Sequence, residues 1–222
     1  MGDAVNDRFA VIEARIAAAC ARAGRPRASV QLVAVSKLHL PQSIRAAHAL
    51  GHRDFGENYA QELRDKHVAL ADLEGLRWHA IGPLQPKNAK YVARAAFCFH
   101  ALDRLDTATE LSRRREGAPL RCLIEVNVGT EASKAGVRPA DVAALAAQVR
   151  ALPKLELVGL TCLPPASEDP EASRGHFKAL RALAASLGLP ELSMGTTQDF
   201  EAAIEEGATL IRVGTALFGE RP

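Results

Sequence analysis

The feature that most constrains this chain is a rhythm. Short runs rich in apolar and β-branched residues recur eight times, each separated from the next by a stretch of helical length. The clearest run, Val30 to Ser36, is almost unbroken in apolar side chains, as a strand buried on both faces requires. Pro41 opens the helix that follows, and Gly51 closes it after Leu50. Further strands are expected near Arg53–Gly56, Arg77–Gly82, Cys98–Leu102, Leu120–Val128, Leu155–Cys162, Glu191–Met194 and Ala208–Gly214. Ahead of them, Phe9, Ile12, Ile16 and Ala19 fall at helical spacing within Asp7 to Arg22, and Gly24 and Pro26 end that segment. Eight β/α units predict an α/β fold: one (β/α)₈ TIM-type barrel with an extra N-terminal helix, its parallel strands joined by right-handed crossovers. An open doubly wound sheet is the alternative.

The length of 222 residues suits one such barrel, and no Pro/Gly/Ser linker divides it, so residues 1–222 are expected to form one domain. The 28 Lys and Arg are mixed with 26 Asp and Glu along the chain, a balance that gives nucleic acid no basic face to bind. Asp3, Asp7 and Arg8 interrupt any signal-like apolar core, and no later run spans a bilayer. A cytoplasmic protein with no membrane partner is expected. Cys20, Cys98, Cys122 and Cys162 show neither C-x-x-C spacing nor a dense disulfide frame, so reduced thiols and no metal site are expected.

In barrels, the C-terminal ends of the strands carry the chemistry. Lys37 follows the apolar run Leu32-Val33-Ala34-Val35-Ser36 and so belongs at the mouth of the first strand. Burial there lowers an ammonium pKa, and a neutral amine attacks aldehydes. On position alone, a surface lysine starting a loop fits as well. Phe55-Gly56-Glu57-Asn58 ends the second strand, where Gly56 permits close backbone approach and capping of the next helix accounts for Asn58. Trp78 reads as packing and His79 as a hydrogen-bonded core residue rather than a general base. Glu125-Val126-Asn127 leads into Glu131, Ser133, Lys134 and Gly136, a polar loop that either covers the mouth or is simply solvated.

The C-terminal third is more specific. Ser193-Met194-Gly195-Thr196-Thr197 leads into a helix over Asp199 to Glu205, and Ile211-Arg212-Val213-Gly214-Thr215 ends the eighth strand. Glycines and small hydroxyl residues at helix starts leave backbone N–H groups for an anion, and the loops after strands seven and eight are the usual phosphate site of a barrel. Arg212 lies inside an apolar strand, where an unpaired guanidinium is costly to bury, so it needs a partner.

These residues resemble the YggS/PROSC family of pyridoxal phosphate homeostasis proteins. The resemblance runs through Ala34-Val35-Ser36-Lys37, Phe55 to Glu62, Trp78 to Gln85, Glu131 to Gly136 and Arg212 to Gly219, in order and over nearly the whole chain. It implies pyridoxal 5′-phosphate held covalently as an internal aldimine on Lys37. Through the related N-terminal domain of alanine racemase it implies Arg212 facing the pyridine nitrogen. Gly214 and Thr215 are then implied to hold the phosphate through backbone N–H groups, and Thr197 to supply a phosphate-binding hydroxyl. Asn58 belongs to the same set of cofactor-binding residues. The sequence departs from the family at Thr196-Thr197, where Met-Ser is commoner, and at Thr161-Cys162, where Met commonly follows Gly159-Leu160.

A guanidinium beside the pyridine nitrogen keeps it unprotonated, which weakens the ring as an electron sink. Racemisation needs a second base on the opposite face, which alanine racemase takes from an extra β-domain. With the chain ending at Pro222, such a domain is not expected, and Tyr59 and Tyr91 are the only tyrosines. The expected function is therefore that of a monomeric carrier that buffers pyridoxal phosphate, has no catalytic residues of its own and has cofactor-dependent apo-enzymes as partners. A weak amino-acid racemase, using a tyrosine or His79, and a phosphate-sugar-binding barrel remain as alternatives.

Overall fold

The computed structural model describes residues 2–129 and 135–220. Residues Glu131 to Lys134 of the polar loop lie outside them. Eight parallel strands form a closed barrel in sequence order: β1 (Gln31–Val35), β2 (Asp54–Glu57), β3 (Arg77–Ala80), β4 (Cys98–Leu102), β5 (Leu120–Glu125), β6 (Leu155–Thr161), β7 (Glu191–Ser193) and β8 (Leu210–Val213). Closure is made by β8 pairing with β1 in the register Gln31↔Leu210 to Ala34↔Val213, which excludes the open sheet. Every strand falls within or beside its expected run. The fifth is shorter than Leu120–Val128: past Glu125 the Val126 amide still donates to the Thr161 carbonyl, but the residue pairs with Val137 in an isolated bridge. The eighth begins late because the turn at Gly207, with φ of +103°, sends the Ala208 amide back to the Ala203 carbonyl.

The crossovers carry α2 (Pro41–Ala49), α3 (Ala60–Ala69), α4 (Ala89–Ala95), α5 (Leu105–Arg114), α6 (Val142–Arg150), α7 (Arg174–Ser186) and α8 (Phe200–Glu205), and a one-turn helix (Thr215–Phe218) follows β8. Burial explains the apolar patterning. A large cluster packs the helices onto the outside of the strands. A second, separate cluster takes Val33, Cys98, Leu123, Val158 and Leu210 from five different strands, as a layer of side chains inside a barrel does. All four cysteines are buried and free. No helix of the described residues is long and apolar enough to cross a membrane.

The N-terminal helix, α1 (Gly2–Arg22), packs against α2, α8 and the one-turn helix after β8, so it lies across the seam where the barrel closes. Phe9, Ile12, Ile16 and Ala19, the residues at helical spacing, are all buried there. Ion pairs from Arg15 to Glu201 and Arg22 to Glu205 flank them, but both are solvent-exposed enough to contribute little. The apolar stripe therefore carries the attachment. Ile16 has no exposed surface. Ile16→Ala is expected to lower the unfolding free energy by about 2–5 kcal/mol, measured by urea denaturation. A loss below about 1 kcal/mol would mean that α1 is not part of the cooperative unit.

Candidate functional site

A pocket of about 220 Å³ opens at the C-terminal ends of the strands, lined by Val35, Lys37, His39, Asn58, Ile81, Leu163, Thr196, Thr197, Arg212, Gly214 and Thr215. All six residues expected to contact a cofactor, Lys37, Asn58, Thr197, Arg212, Gly214 and Thr215, are thus brought to one cavity. They come from four strand ends that span most of the chain. Asn58 needs one correction. The N-cap of α3 is Tyr59 and no side chain caps that helix, so capping does not account for Asn58. Its backbone is fixed by the next loop: a Cβ on Gly82 would lie 2.3 Å from the Asn58 carbonyl oxygen, so only glycine allows that approach.

Lys37 sits in a strained and heavily braced turn. Leu38, the next residue, has φ of +64° and is the only non-glycine in the left-handed region among the described residues. Four side chains, Ser36, Glu57, Glu62 and Lys66, hold the strain. Glu62 accepts the Leu38 amide at 2.6 Å, and the buried Lys66 donates to the Ser36 carbonyl at 2.6 Å and to Glu57 and Glu62 at 2.8 Å each. The Ser36 hydroxyl donates to Glu57 at 2.6 Å. Strain that persists only because its surroundings over-determine it is typical of functional sites. Glu57 comes from the end of β2 and Glu62 and Lys66 from α3, and no local signal in the sequence marks Lys66 as the centre of the brace.

Arg212 is buried, yet its guanidinium meets no carboxylate at ion-pair distance among the described residues. It donates to the Ser193 hydroxyl at 2.6 Å, the Thr161 hydroxyl at 3.1 Å and the Cys162 carbonyl at 3.0 Å. Burial lowers its pKa, with Cys162, Glu125 and Asp199 opposing. The expected partner is therefore a set of neutral oxygens, and Thr161-Cys162, the family departure on the sixth strand, supplies two of them. The loops beside it are tightly set. Gly195, with φ of +89°, has Phe200 and Ala203 where a Cβ would go, and its carbonyl accepts the Arg212 amide at 3.0 Å. Thr196 is tied through amide and hydroxyl to Asp199, leaving Thr197 in the turn ahead of α8. Gly214 packs against the end of β1, 3.1 Å from the Val35 carbonyl at its Cβ position, and leads into the one-turn helix, whose first N–H groups have no intrahelical acceptor.

The remaining candidates fall outside the pocket. Trp78 is core, and His79 is fully buried, hydrogen-bonded to Asp54 at 3.0 Å and His100 at 2.9 Å. Tyr59 is largely exposed at the start of α3, and Tyr91, on α4, lies beneath Arg64 and Lys90. Neither tyrosine lines the pocket. Glu125, its pKa raised by burial, lines a smaller cavity behind Arg212. Sequence reasoning passed over His39 and Leu163, which shape the mouth but carry no motif, gave no role to Ile81 within Trp78 to Gln85, and missed His100, whose signal was a histidine in the otherwise apolar strand Cys98 to Leu102.

A family model described as "Alanine racemase, N-terminal domain" matches residues 9–222. A "Pyridoxal phosphate homeostasis protein" of Pseudomonas aeruginosa is 46% identical over 221 residues, covering 98% of this chain and 96% of the relative. Its counterpart from Escherichia coli K12 is 40% identical over 229 residues, covering 98% and 97%. The solved structure of PipY from Synechococcus elongatus, described with PLP bound, superposes with a TM-score of 0.84 at 35% identity over 97% of this chain and all of that one. Alanine racemase from Corynebacterium glutamicum, at 18% identity and a TM-score of 0.72 over 62% of its length, shares the fold. The barrel and its mouth therefore define a protein of the alanine racemase N-terminal class. Within that class the chain belongs to the YggS/PROSC family of pyridoxal phosphate homeostasis proteins.

The brace around Lys37 generates a pH dependence. Burial pushes the Glu57 carboxyl from 4.5 up to about 7, outweighing the pull of Lys66 and the Ser36 hydroxyl. A carboxyl whose pKa is raised on folding binds its proton more tightly in the native state. Its contribution is present below about pH 4.5 and lost as pH rises through about 7. Wild-type stability should fall between about pH 5 and pH 8 by on the order of 3 kcal/mol more than that of Glu57→Gln, followed by chemical denaturation. Parallel profiles would remove Glu57 as the titrating group.

Proposed function

We propose that this chain, over residues 1–222 as one unit, binds pyridoxal 5′-phosphate at this pocket through a Schiff base to Lys37 and holds it for the cell's cofactor-dependent enzymes. The observation that carries the proposal is the convergence of an amine, a buried guanidinium and two glycine-bearing loops on one cavity. Each matches a different part of the cofactor. Lys37 presents its amine from a braced turn, and Arg212 faces the pocket with a charge that no carboxylate neutralises directly. The loops at Thr197 and at Gly214 and Thr215 offer hydroxyls and backbone N–H groups for the phosphate, and Asn58 closes the side next to Lys37. Bound there, the cofactor supplies an aldehyde carbon for the lysine amine and a ring that absorbs visible light.

The chain's own residues favour retention over turnover. A permanent positive charge at Arg212 disfavours protonation of a neighbouring ring nitrogen. Inversion at an amino-acid Cα needs a proton donor on the face opposite Lys37, and Tyr59, Tyr91 and His79 are all directed elsewhere. The names of the full-length relatives support the carrier reading over the racemase. We further propose a monomer working in the cytoplasm.

Two experiments test this. Borohydride reduction of the protein after loading with pyridoxal phosphate should add one pyridoxyl group, which mass mapping places on Lys37. Attachment to another lysine, or no incorporation, overturns the site. Incubation of the loaded protein with L-alanine in deuterated water should yield no D-alanine at the rates of about 1–1000 s⁻¹ typical of enzymes. Rapid D-alanine formation that disappears in Lys37→Ala would establish a racemase instead.

A further inference from the structure

Behind the pocket, five side chains from five strands form a continuous hydrogen-bonded line through the barrel interior. Arg212 of β8 donates to the Ser193 hydroxyl of β7 at 2.6 Å, which lies 2.8 Å from Nδ1 of His100 on β4. His100 Nε2 is 2.9 Å from Nδ1 of His79 on β3, and His79 Nε2 is 3.0 Å from Asp54, the first residue of β2. The line thus begins at the cofactor pocket and ends at the opposite, N-terminal mouth. There Arg77, at the start of β3, grips Asp54 with Nε at 2.7 Å and with a second, shorter contact.

With one proton on each imidazole, the direction of every hydrogen in this line follows from its two ends. Burial acts to raise the Asp54 pKa, but hydrogen bonds from His79 and Arg77 outweigh it and hold the carboxyl at about 2, so Asp54 only accepts. His79 must then carry its proton on Nε2. With His79 neutral, its Nδ1 accepts, so His100 Nε2 must donate. His100 Nδ1 is left as an acceptor, which the Ser193 hydroxyl fills, and Ser193 in turn accepts from Arg212. An extra proton on His79 would reverse both bonds of His100. The Ser193 oxygen would then accept from His100 and Arg212 together, and its own hydrogen would lose His100 as its acceptor. Burial, His79 and Arg212 also all lower the His100 pKa. The group His79, Cys98 and His100 brings three possible metal-ligand atoms within 4.8 Å, but in this pattern the two facing ring nitrogens are bonded to each other.

We infer that Asp54, His79, His100 and Ser193 form a one-way hydrogen-bond relay that serves as the remote counter-charge and positioning device of Arg212. Every donor points from the guanidinium toward the carboxylate, so the two neutral imidazoles and the hydroxyl are polarised in the same sense, and each bond strengthens the next. This explains how a buried arginine persists without a carboxylate beside it. It leaves the Arg212 charge undiminished for a ligand while fixing the plane of the guanidinium. Asp54, His79, His100 and Ser193 are positioning residues, and the consequence for the cofactor rests on the proposed pyridoxal phosphate site.

The relay and that site are tested separately. In the cofactor-free protein labelled with ¹⁵N-histidine, NMR should show His79 and His100 both protonated at Nε2 and bare at Nδ1. An Nδ1–H form or an imidazolium at either residue overturns the relay. In the loaded protein, Asp54→Asn, a change at the far mouth of the barrel, should shift the visible absorption band and speed cofactor release about tenfold, because it removes the charge at the end of the line. A purely structural role would lower thermal stability and leave the band unmoved, and that result also overturns the inference. Should Asp54→Asn fail to fold, Ser193→Ala breaks the same line one residue from Arg212, and the same shift and acceleration are expected. Wild-type protein that takes up no pyridoxal phosphate would refute the site alone, since the NMR result still decides the relay.

Discussion

The parallel pairing of β8 with β1 is the interaction on which everything else in this molecule depends. It joins Leu32 to Ile211 and Val33 to Arg212, residues about 180 positions apart in sequence. Through it, a lysine at the end of the first strand and an arginine in the last come to line the same pocket. An open sheet built from the same strands would leave them on opposite edges. The seam is covered by α1, so a helix that contributes nothing to the pocket directly secures its geometry. Long-range pairing of this kind is entropically expensive to form, which makes the apolar stripe of α1 a structural requirement.

Charge inside the barrel is handled by two devices with opposite logic. Around Lys37, Lys66 is compensated directly by Glu57 and Glu62, and this compact ionic cluster pins a strained turn. Around Arg212, compensation comes through neutral oxygens and a line of imidazoles. The difference suits their places. Lys66 is a brace that faces no ligand, so local neutralisation is harmless. Arg212 lines the pocket, where a carboxylate alongside would cancel its charge. The same fold thus keeps one cation quiet and the other available.

The departures from the commoner family pattern acquire a physical role in this setting. Thr161 and Cys162 hold Arg212 through a hydroxyl and a backbone carbonyl, and the Thr161 hydroxyl itself donates to the Ser193 carbonyl at 2.7 Å. A methionine at position 161 could supply no hydroxyl, whereas the carbonyl at position 162 belongs to the backbone and does not depend on the side chain. At Thr196-Thr197 both residues line the pocket, and the first is also tied to Asp199 through its amide and hydroxyl.

What the sequence determined by itself was the periodicity and the order of the parts. Continuous apolar runs specify strands buried on both faces, glycine and proline mark where they stop, and Lys37, Arg212, Gly214 and Thr215 stand at strand ends because those runs place them there. Sequence also favoured a core role for His79, a histidine alternating with apolar neighbours, and its full burial bears that out. Which partners it finds was decided only by tertiary structure. His100, Ser193 and Asp54 meet His79 or Arg212 because barrel curvature turns side chains from distant strands toward one axis, and nothing in local spacing encodes that convergence. Lys66 was hidden for the same reason, as a lysine on a polar helix looks solvated until the fold buries it under the Ser36 carbonyl. Asn58 was misread as a cap because capping is a local rule, whereas its position is set by the close approach of Gly82 from the next strand end.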